Sequence, residues 1–429
     1  MPEKKHLVII GAGFAGLRLA RDLNNDPNFN ITLVDKNNYH QFQPLLYQVA
    51  TANLDASNIS FPLRTIFRKS SNTRIRIAEV KRISPSQKQI ETSVGDIPYD
   101  FLVIATGAAT NYFGNANLQH FAFPMKSTTE ALQLRNQLIQ NIEKASLSTN
   151  PMQIESLLNI VVVGGGPTGI ELSGALAEMK RHSLPWDYPE LNFAAMKIYL
   201  LEGSSKVLGN MSGKSSARSR SYLEKMGVSV HTNTLVKDYD GERVLLQDGT
   251  SIASALVIWT AGIQGNAPAG LDSKYFAPGN RIRVNQWNQV DGKIFALGDG
   301  AYMESVEFPK GYPQLASVAI DQARNLAGNF KRAASGNAML PYKYRNKGTM
   351  ATVGRNKAVV DLPGPAFNLH GYPAWFIWMS VHLFLLMGFR NRIIVFINWV
   401  YQYLTRNQSL TLLFPFLSRK EQEGGAGHR

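Results

Sequence analysis

The strongest constraint on this chain is a pattern that it contains twice. Residues 6–10, HLVII, read as a buried strand. They run into Gly11-x-Gly13-x-x-Gly16 and then LRLARDL, whose apolar residues recur at helical spacing. A strand, a glycine turn and a helix in this order form a dinucleotide fingerprint. The first glycine makes the tight turn, the second admits a pyrophosphate to the backbone, and the third lets the helix pack on the strand. The helix N-terminus then faces the phosphates. Asp35 ends the next strand, ITLVD, at a distance where an acid accepts ribose hydroxyls.

The second copy is NIVVVGGGPTGIELSGALAEM, with Gly164, Gly166 and Gly169, followed by IYLLE ending in Glu202. Each copy closes on a terminal strand and tight turn. The first is FLVIATG with Ala105, Thr106 and Gly107, and the second is ALVIWTAG with Ala261 and Gly262. The opening glycines are 153 residues apart and the closing glycines 155 apart. The acids are 167 apart, because RHSLPWDYPELN adds length between helix and strand. Matched spacing at both ends is an internal duplication, so two dinucleotide sites are expected. Between the copies, Ser127 with Glu130 reads as the capping box of a helix over STTEALQLRNQLIQNIEK. A third signal, KIFALGDGA, ends a strand in Gly298-Asp299-Gly300 ahead of the helical stretch PQLASVAIDQARNLAGNF.

Bulk properties exclude several alternatives. The chain has 429 residues, room for two or three domains, and no Cys. Chemistry through a redox-active cysteine pair, cysteine attack on sulfide, and flavin attachment through cysteine are therefore excluded. Flavin attachment through His or Tyr stays open. MPEKK leads directly into a strand without an apolar signal region, so the protein is expected in the cytosol or on that face of a membrane. The net charge is +14 and uneven. From Lys331 onward, thirteen Lys and Arg face three acids, Asp361, Glu421 and Glu423. Such a segment reads as a contact with anionic lipid or nucleic acid, or as a solvated surface.

The apolar sequence beside those charges favours lipid. PAWFIWMSVHLFLLMGF and IIVFINWVYQYL are each shorter than the ~20 residues of a spanning helix. Trp375, Trp378, Trp399, Tyr401 and Tyr403 are of the type that settles at headgroup level. With Arg390, Arg392, Arg406, Arg419 and Lys420 they read as amphipathic helices in one leaflet. A buried dimer interface is the next reading and can coexist with it. A spanning hairpin would place arginines at its middle. No nucleic-acid module is present, so no nucleic-acid partner is expected.

These motifs resemble the two-dinucleotide-binding-domain flavoprotein oxidoreductases, and within them the type II (alternative) NADH:quinone oxidoreductases. The resemblance covers nearly the whole chain. It rests on GAGFAG, NYHQFQPLLYQVAT, YDFLVIATGA, VVVGGGPTGIELSGALAE, IYLLEGSSKVL, LGDGA, YKYRNKGTMATVGRNKAV and FRNRIIVFINWVYQYL. It implies an α/β fold of two Rossmann-like domains, glutathione-reductase-like, with C-terminal amphipathic membrane-anchoring helices. The implied domains are a discontinuous FAD domain (1–115 and 275–335), an NADH domain (116–274), a membrane-anchoring and dimerisation region (336–417) and a disordered tail (418–429).

Carried over residue by residue, the resemblance assigns FAD to Gly11, Gly13, Gly16 and Asp35. Thr106, Gly107 and Gly298 line that site, and Asp299 holds the ribityl chain. NADH is assigned to Gly164, Gly166, Gly169, Glu202 and Gly262. Glu202 favours NADH over NADPH, because the extra phosphate would meet a carboxylate. Glu171 reads either as a helix-dipole acid or, by the resemblance, as a group that places the nicotinamide or relays a proton. His382 reads either as a structural residue or as a proton donor to a reduced quinone. The family's quinone-side helix often carries A-Q-x-A-x-Q-Q. Here Ser317 and Asp321 stand where Gln is common, so Ser317, Gln314 and Gln322 are the quinone candidates. No metal site is expected.

The expected function is oxidation of NADH through tightly bound FAD and reduction of a membrane quinone without proton pumping. The enzyme would be a peripheral homodimer on the cytoplasmic face of the inner (plasma) membrane, against anionic lipid. Two other readings remain: a soluble NADH-dependent reductase of a small redox protein, and a non-catalytic NADH-responsive flavoprotein. The first has no use for the apolar C-terminus.

Overall fold

The computed structural model describes residues 4–364, 368–406 and 410–413. The expected tail, 418–429, with Arg419 and Lys420, lies outside them. The chain forms two compact units. The first takes residues up to Gln41, then Ser60–Asn111 and Gly262–Lys347. The second takes Phe42–Ile59, Tyr112–Ala261 and the chain from Gly348 on.

The first unit is built on a six-stranded sheet. Its order is Gln289–Asp291, Ile294–Ala296, Phe101–Ile104, Lys5–Ile10, Phe29–Asp35 and Thr73–Ile77. Only the first pair is antiparallel. Ile9 lies level with Leu33 on one side and Val103 on the other. Leu7, Val8 and Ile9 are fully buried, which is why the strand reads as a continuous apolar run rather than an alternating one. Phe14–Asp22 and Ala316–Ala334 are its main helices, and they pack on each other.

The second unit repeats the plan with five parallel strands. Their order is Phe123–Pro124, Leu256–Trp259, Ile160–Val163, Ile198–Leu201 and Val228–His231. The Thr128–Leu147 helix begins with the expected capping box. Glu130 N–H donates to Ser127 Oγ at 3.2 Å, and Ser127 N–H donates to Glu130 Oε2 at 2.9 Å. The α/β fold expected from the duplication is the one observed.

The chain from Gly348 on adds an antiparallel three-stranded sheet, Thr349–Gly354, Lys357–Asp361 and Asn368–His370. Two helices follow, Tyr372–Leu385 and Phe389–Thr405. The sheet packs on the Pro167–His182 helix so closely that a Cβ on Gly174 would lie 1.6 Å from Val353 O. No helix of the described residues is long and apolar enough to cross a membrane.

Two readings of this end are corrected. Trp378 and Trp399, expected at headgroup level, are 2 % and 6 % exposed and belong to the interior of the unit. Their indole N–H groups have buried acceptors, Glu171 and Gln48, which a surface aromatic would not need. Arg392, expected as a lipid contact, instead donates to Leu386 O at 2.7 Å and Phe384 O at 2.8 Å, closing the end of the preceding helix. The exposed apolar stripe consists of Phe389, Ile393, Phe396, Ile397, Val400 and Leu404, at helical spacing.

Candidate functional site

In the first unit the glycine turn is forced by backbone contacts. Gly11 has φ +99°, and a Cβ there would lie 2.4 Å from Ala105 O. A Cβ on Gly16 would lie 1.8 Å from Gly11 O. Gly13, by contrast, faces open space and stands as N-cap of Phe14–Asp22, with no side chain capping the helix. Bare N–H groups at an open helix start are what a pyrophosphate requires.

Asp35 works first on the turn itself. Ala12 N–H donates to its Oδ2 and Asn37 N–H to its Oδ1, both at 2.7 Å. Burial raises its pKa, and those two N–H groups oppose the rise. His40, which the sequence reading passed over, is buried and bonds Ala12 O through Nδ1 at 2.8 Å. A carbonyl only accepts, so Nδ1 carries the proton, and burial keeps the ring neutral by lowering its pKa. The only sequence signal for His40 was its place in the polar-aromatic loop after Asp35.

Thr106 Oγ1 is buried without a partner beside Gly107, which has φ +68°. An unpaired buried hydroxyl next to an open helix start is what a bound cofactor would complete, so this donor set fits FAD. Gly298 N–H donates to Gln322 Oε1 at 2.8 Å, and Gln314 Nε2 donates to Asp299 O at 3.0 Å. The two glutamines expected on the quinone side therefore brace the Gly298–Gly300 turn. Gln322 is only 1 % exposed. Ser317, in the first turn of Ala316–Ala334, is half-buried. Asp321 pairs with Lys347 at 2.5 Å and Arg324 at 3.3 Å, which gives the acid in the glutamine position a structural use.

The second unit repeats the geometry almost contact for contact. Gly164 has φ +108°, and a Cβ on Gly169 would lie 1.9 Å from Gly164 O. Gly166 faces open space at the start of Pro167–His182. Glu202 takes Asp35's part: Gly165 N–H donates to Oε2 at 2.6 Å and Ser204 N–H to Oε1 at 2.7 Å. Lys206, the nearest base in sequence, is turned to Met211 O at 3.2 Å. Gly262, with φ +77°, belongs to the first unit, next to the strand Ile263–Gly265.

Glu171 is buried at 9 % exposure in the second unit. Its Oε1 accepts Trp378 Nε1–H at 3.2 Å and Thr352 N–H at 3.4 Å. Burial raises its pKa to about 8, against the two hydrogen bonds. At neutral pH the carboxyl holds a proton, which a surface helix-dipole acid would not.

Of its two readings, His382 fits the structural one. Its ring stacks on Trp378 at 4.0 Å, and its Nδ1 bonds Trp378 O at 2.7 Å. Burial pushes its pKa down to about 4, so it is neutral at pH 7 and has no imidazolium proton to give. Among the described residues no group of three or more His, Asp or Glu could hold a metal ion.

Residues 5–323 match the family described as pyridine nucleotide-disulphide oxidoreductase, and residues 346–407 match the NDH2 C-terminal domain. The chain is 33 % identical to the type II NADH:quinone oxidoreductase Ndh of Mycobacterium tuberculosis, over 96 % of this chain and 91 % of that one. It is 27 % identical to the internal alternative NAD(P)H-ubiquinone oxidoreductase A1 of Arabidopsis thaliana, over 93 % and 84 %. The solved structure of NDH2 from Plasmodium falciparum in complex with NADH has the same fold. Its TM-score is 0.85 at 21 % identity, covering 97 % of this chain and all of that one. Two stapled glycine cradles, a thiol-free sequence and the matched C-terminal domain lead to one assignment: the chain belongs to the type II NADH:quinone oxidoreductases, and it is an NADH dehydrogenase.

Proposed function

We propose that this chain oxidises NADH through bound FAD and reduces a membrane quinone, without moving protons across the membrane. The observation that carries the reading is the duplicated cradle, in which Asp35 and Glu202 hold the same two backbone N–H groups in their respective units. FAD, when bound, supplies the two-electron chemistry. Gly11, Gly13, Gly16, Asp35, Thr106, Gly107, Gly298 and Asp299 would hold it, with Gln314 and Gln322 fixing the last turn. Gly164, Gly166, Gly169 and Glu202 would hold NADH; Gly262, expected with them, lies in the first unit.

NADH gives two electrons and one proton as hydride, whereas a quinol needs two protons, so one more must come from the medium. Glu171, protonated near neutral pH, is the proposed carrier. Ser317 is the remaining candidate for contact with the quinone. The proposal for an anionic bilayer surface and a homodimer rests on the stripe from Phe389 to Leu404, with Arg390 and Arg406 beside it. The cytoplasmic face is part of the same proposal.

The test uses the full chain loaded with FAD. Anaerobic NADH should abolish the visible flavin absorption, and a short-chain quinone should restore it. A flavin that NADH leaves oxidised overturns the proposal. Bleaching that quinone does not reverse overturns the quinone half. Reconstitution into vesicles with an internal pH dye should show turnover without acidification.

Cofactor choice gives a second expectation. Glu202→Ser removes the carboxylate that an NADPH phosphate would meet. The ratio of kcat/KM for NADPH over NADH should rise about 10- to 100-fold. An unchanged ratio in a folded protein would place the discrimination elsewhere.

A further inference from the structure

Glu171 holds its two hydrogen bonds in an unequal way. Both donors, Trp378 Nε1–H and Thr352 N–H, converge on Oε1, and Oε2 takes neither. An oxygen that receives two N–H groups is the acceptor of the carboxyl, so the titrating proton resides on the other one.

The indole donor is locked from three sides. His382, four residues on, stacks against it at 4.0 Å with planes 23° apart, and is itself tied to Trp378 O. Tyr47, in the Leu46–Ala50 helix, meets it edge-on at 6.3 Å. Trp399 lies at 6.2 Å, and its own N–H donates to Gln48 Oε1 at 2.8 Å. Gln48 Nε2 closes the ring of contacts on Tyr47 OH at 2.8 Å. Such locking costs ordering entropy and desolvation, and general packing does not require the indole to end on a carboxylate.

We propose that Trp378 is a positioning residue for Glu171, fixing Oε1 so that Oε2 presents the proton used in quinone reduction. The inference rests on the proton role given to Glu171 above. Through Trp378 the C-terminal helices set the state of a carboxyl on the nucleotide-binding helix, beyond any part they play at a lipid surface. The surrounding charges do not supply this control. Tyr47 stays a neutral phenol, its pKa raised first by burial and then by Glu171 and Glu178. Glu178, two turns on, bonds Arg355 N–H and feels Lys357 and Arg355. His382 is neutral. No charge from the other helices and strands packed on Pro167–His182 enters the Glu171 shift, whose causes are burial, Thr352 and Trp378.

The test is Trp378→Phe in the full, FAD-loaded chain. An N–H donated to a carboxylate favours the charged form, so its loss should raise the Glu171 midpoint. Infrared titration of the Glu171 carboxyl, assigned by its loss in Glu171→Gln, should show that midpoint about one pH unit higher. The carboxylate population at a fixed pH below the midpoint then falls about tenfold. The alkaline limb of quinone reduction should move the same way, with KM for NADH unchanged.

An unmoved midpoint overturns the positioning role, whatever happens to the rate. A moved midpoint with an unmoved rate profile upholds the positioning and overturns the proton role of Glu171. Should the variant misfold, the wild-type indole N–H resonances decide. One must titrate with Glu171 and lose its pH dependence in Glu171→Gln, and the absence of any such resonance overturns the proposal.

Discussion

Gly174→Ala is expected to lower the melting temperature by roughly 6–12 °C, the equivalent of about 3 kcal/mol. The added Cβ would stand 1.6 Å from Val353 O, a backbone atom one residue from the end of the Thr349–Gly354 strand. No rotamer relieves that overlap, so helix and strand must separate. Separation stretches two bonds on the same helix face, the buried one from Thr352 N–H to Glu171 and the part-buried one from Arg355 N–H to Glu178. A buried acceptor that loses its donor adds about 1–3 kcal/mol. Gly328→Ala is the control. That glycine is exposed within Ala316–Ala334, and nothing lies within 4 Å of its added Cβ. Removing backbone freedom there should stabilise by about 0.5–1 kcal/mol. Thermal melts of both variants against the parent decide it. Equal effects would mean that the close approach at Gly174 has no energetic consequence.

The contrast between these two glycines explains how much of the molecule was legible. Gly16 and Gly169 were readable because their reason is local, and Gly11 and Gly164 because they open the same consecutive motif, although the backbone that crowds them is distant, at Ala105 and Ala261. Strand, turn and helix are consecutive, and the clash that forbids a side chain at Gly16 or Gly169 is with a residue five positions away. The duplicated sheets followed, since parallel strands buried on both faces announce themselves as apolar runs. Gly174 looked like any small residue in a helix, because its partner is 179 positions further on. The staples that Asp35 and Glu202 make were half legible. The acids were found as ribose ligands, but their bonds to Ala12 N–H and Gly165 N–H depend on where two strands end side by side. Trp378 and Trp399 were misread for the same reason. An aromatic beside arginines suggests an interface, and only the fold reveals an acceptor behind each indole. Gln322 fitted a sequence motif for an acceptor site, yet its amide is committed to Gly298 N–H.

Glu171→Gln is expected to make the protein more stable and less active, and pH separates the two effects. Burial holds the folded carboxyl at about 8 against an ordinary value of 4.5. A carboxyl raised on folding carries no penalty below pH 4.5, where both folded and unfolded chains are protonated. Between 4.5 and 8 the unfolded chain has released a proton that the folded one keeps, so wild-type stability falls as pH rises. Above 8 the full penalty is present, on the order of 3–5 kcal/mol at about 1.4 kcal/mol per unit. Glutamine keeps an oxygen for Trp378 and Thr352 and never ionises. Its stability relative to wild type should therefore be level near pH 4.5, climb through neutrality and flatten above pH 8. Denaturation midpoints at three pH values test this, and a difference that stays constant with pH would mean that Glu171 titrates normally. Quinone turnover in the same variant should fall about 10²-fold, the usual scale for loss of a positioned proton donor. The burial that destabilises the fold at pH 8 is the burial that keeps a proton on Oε2 at pH 7, so selection for stability alone would have removed this carboxyl.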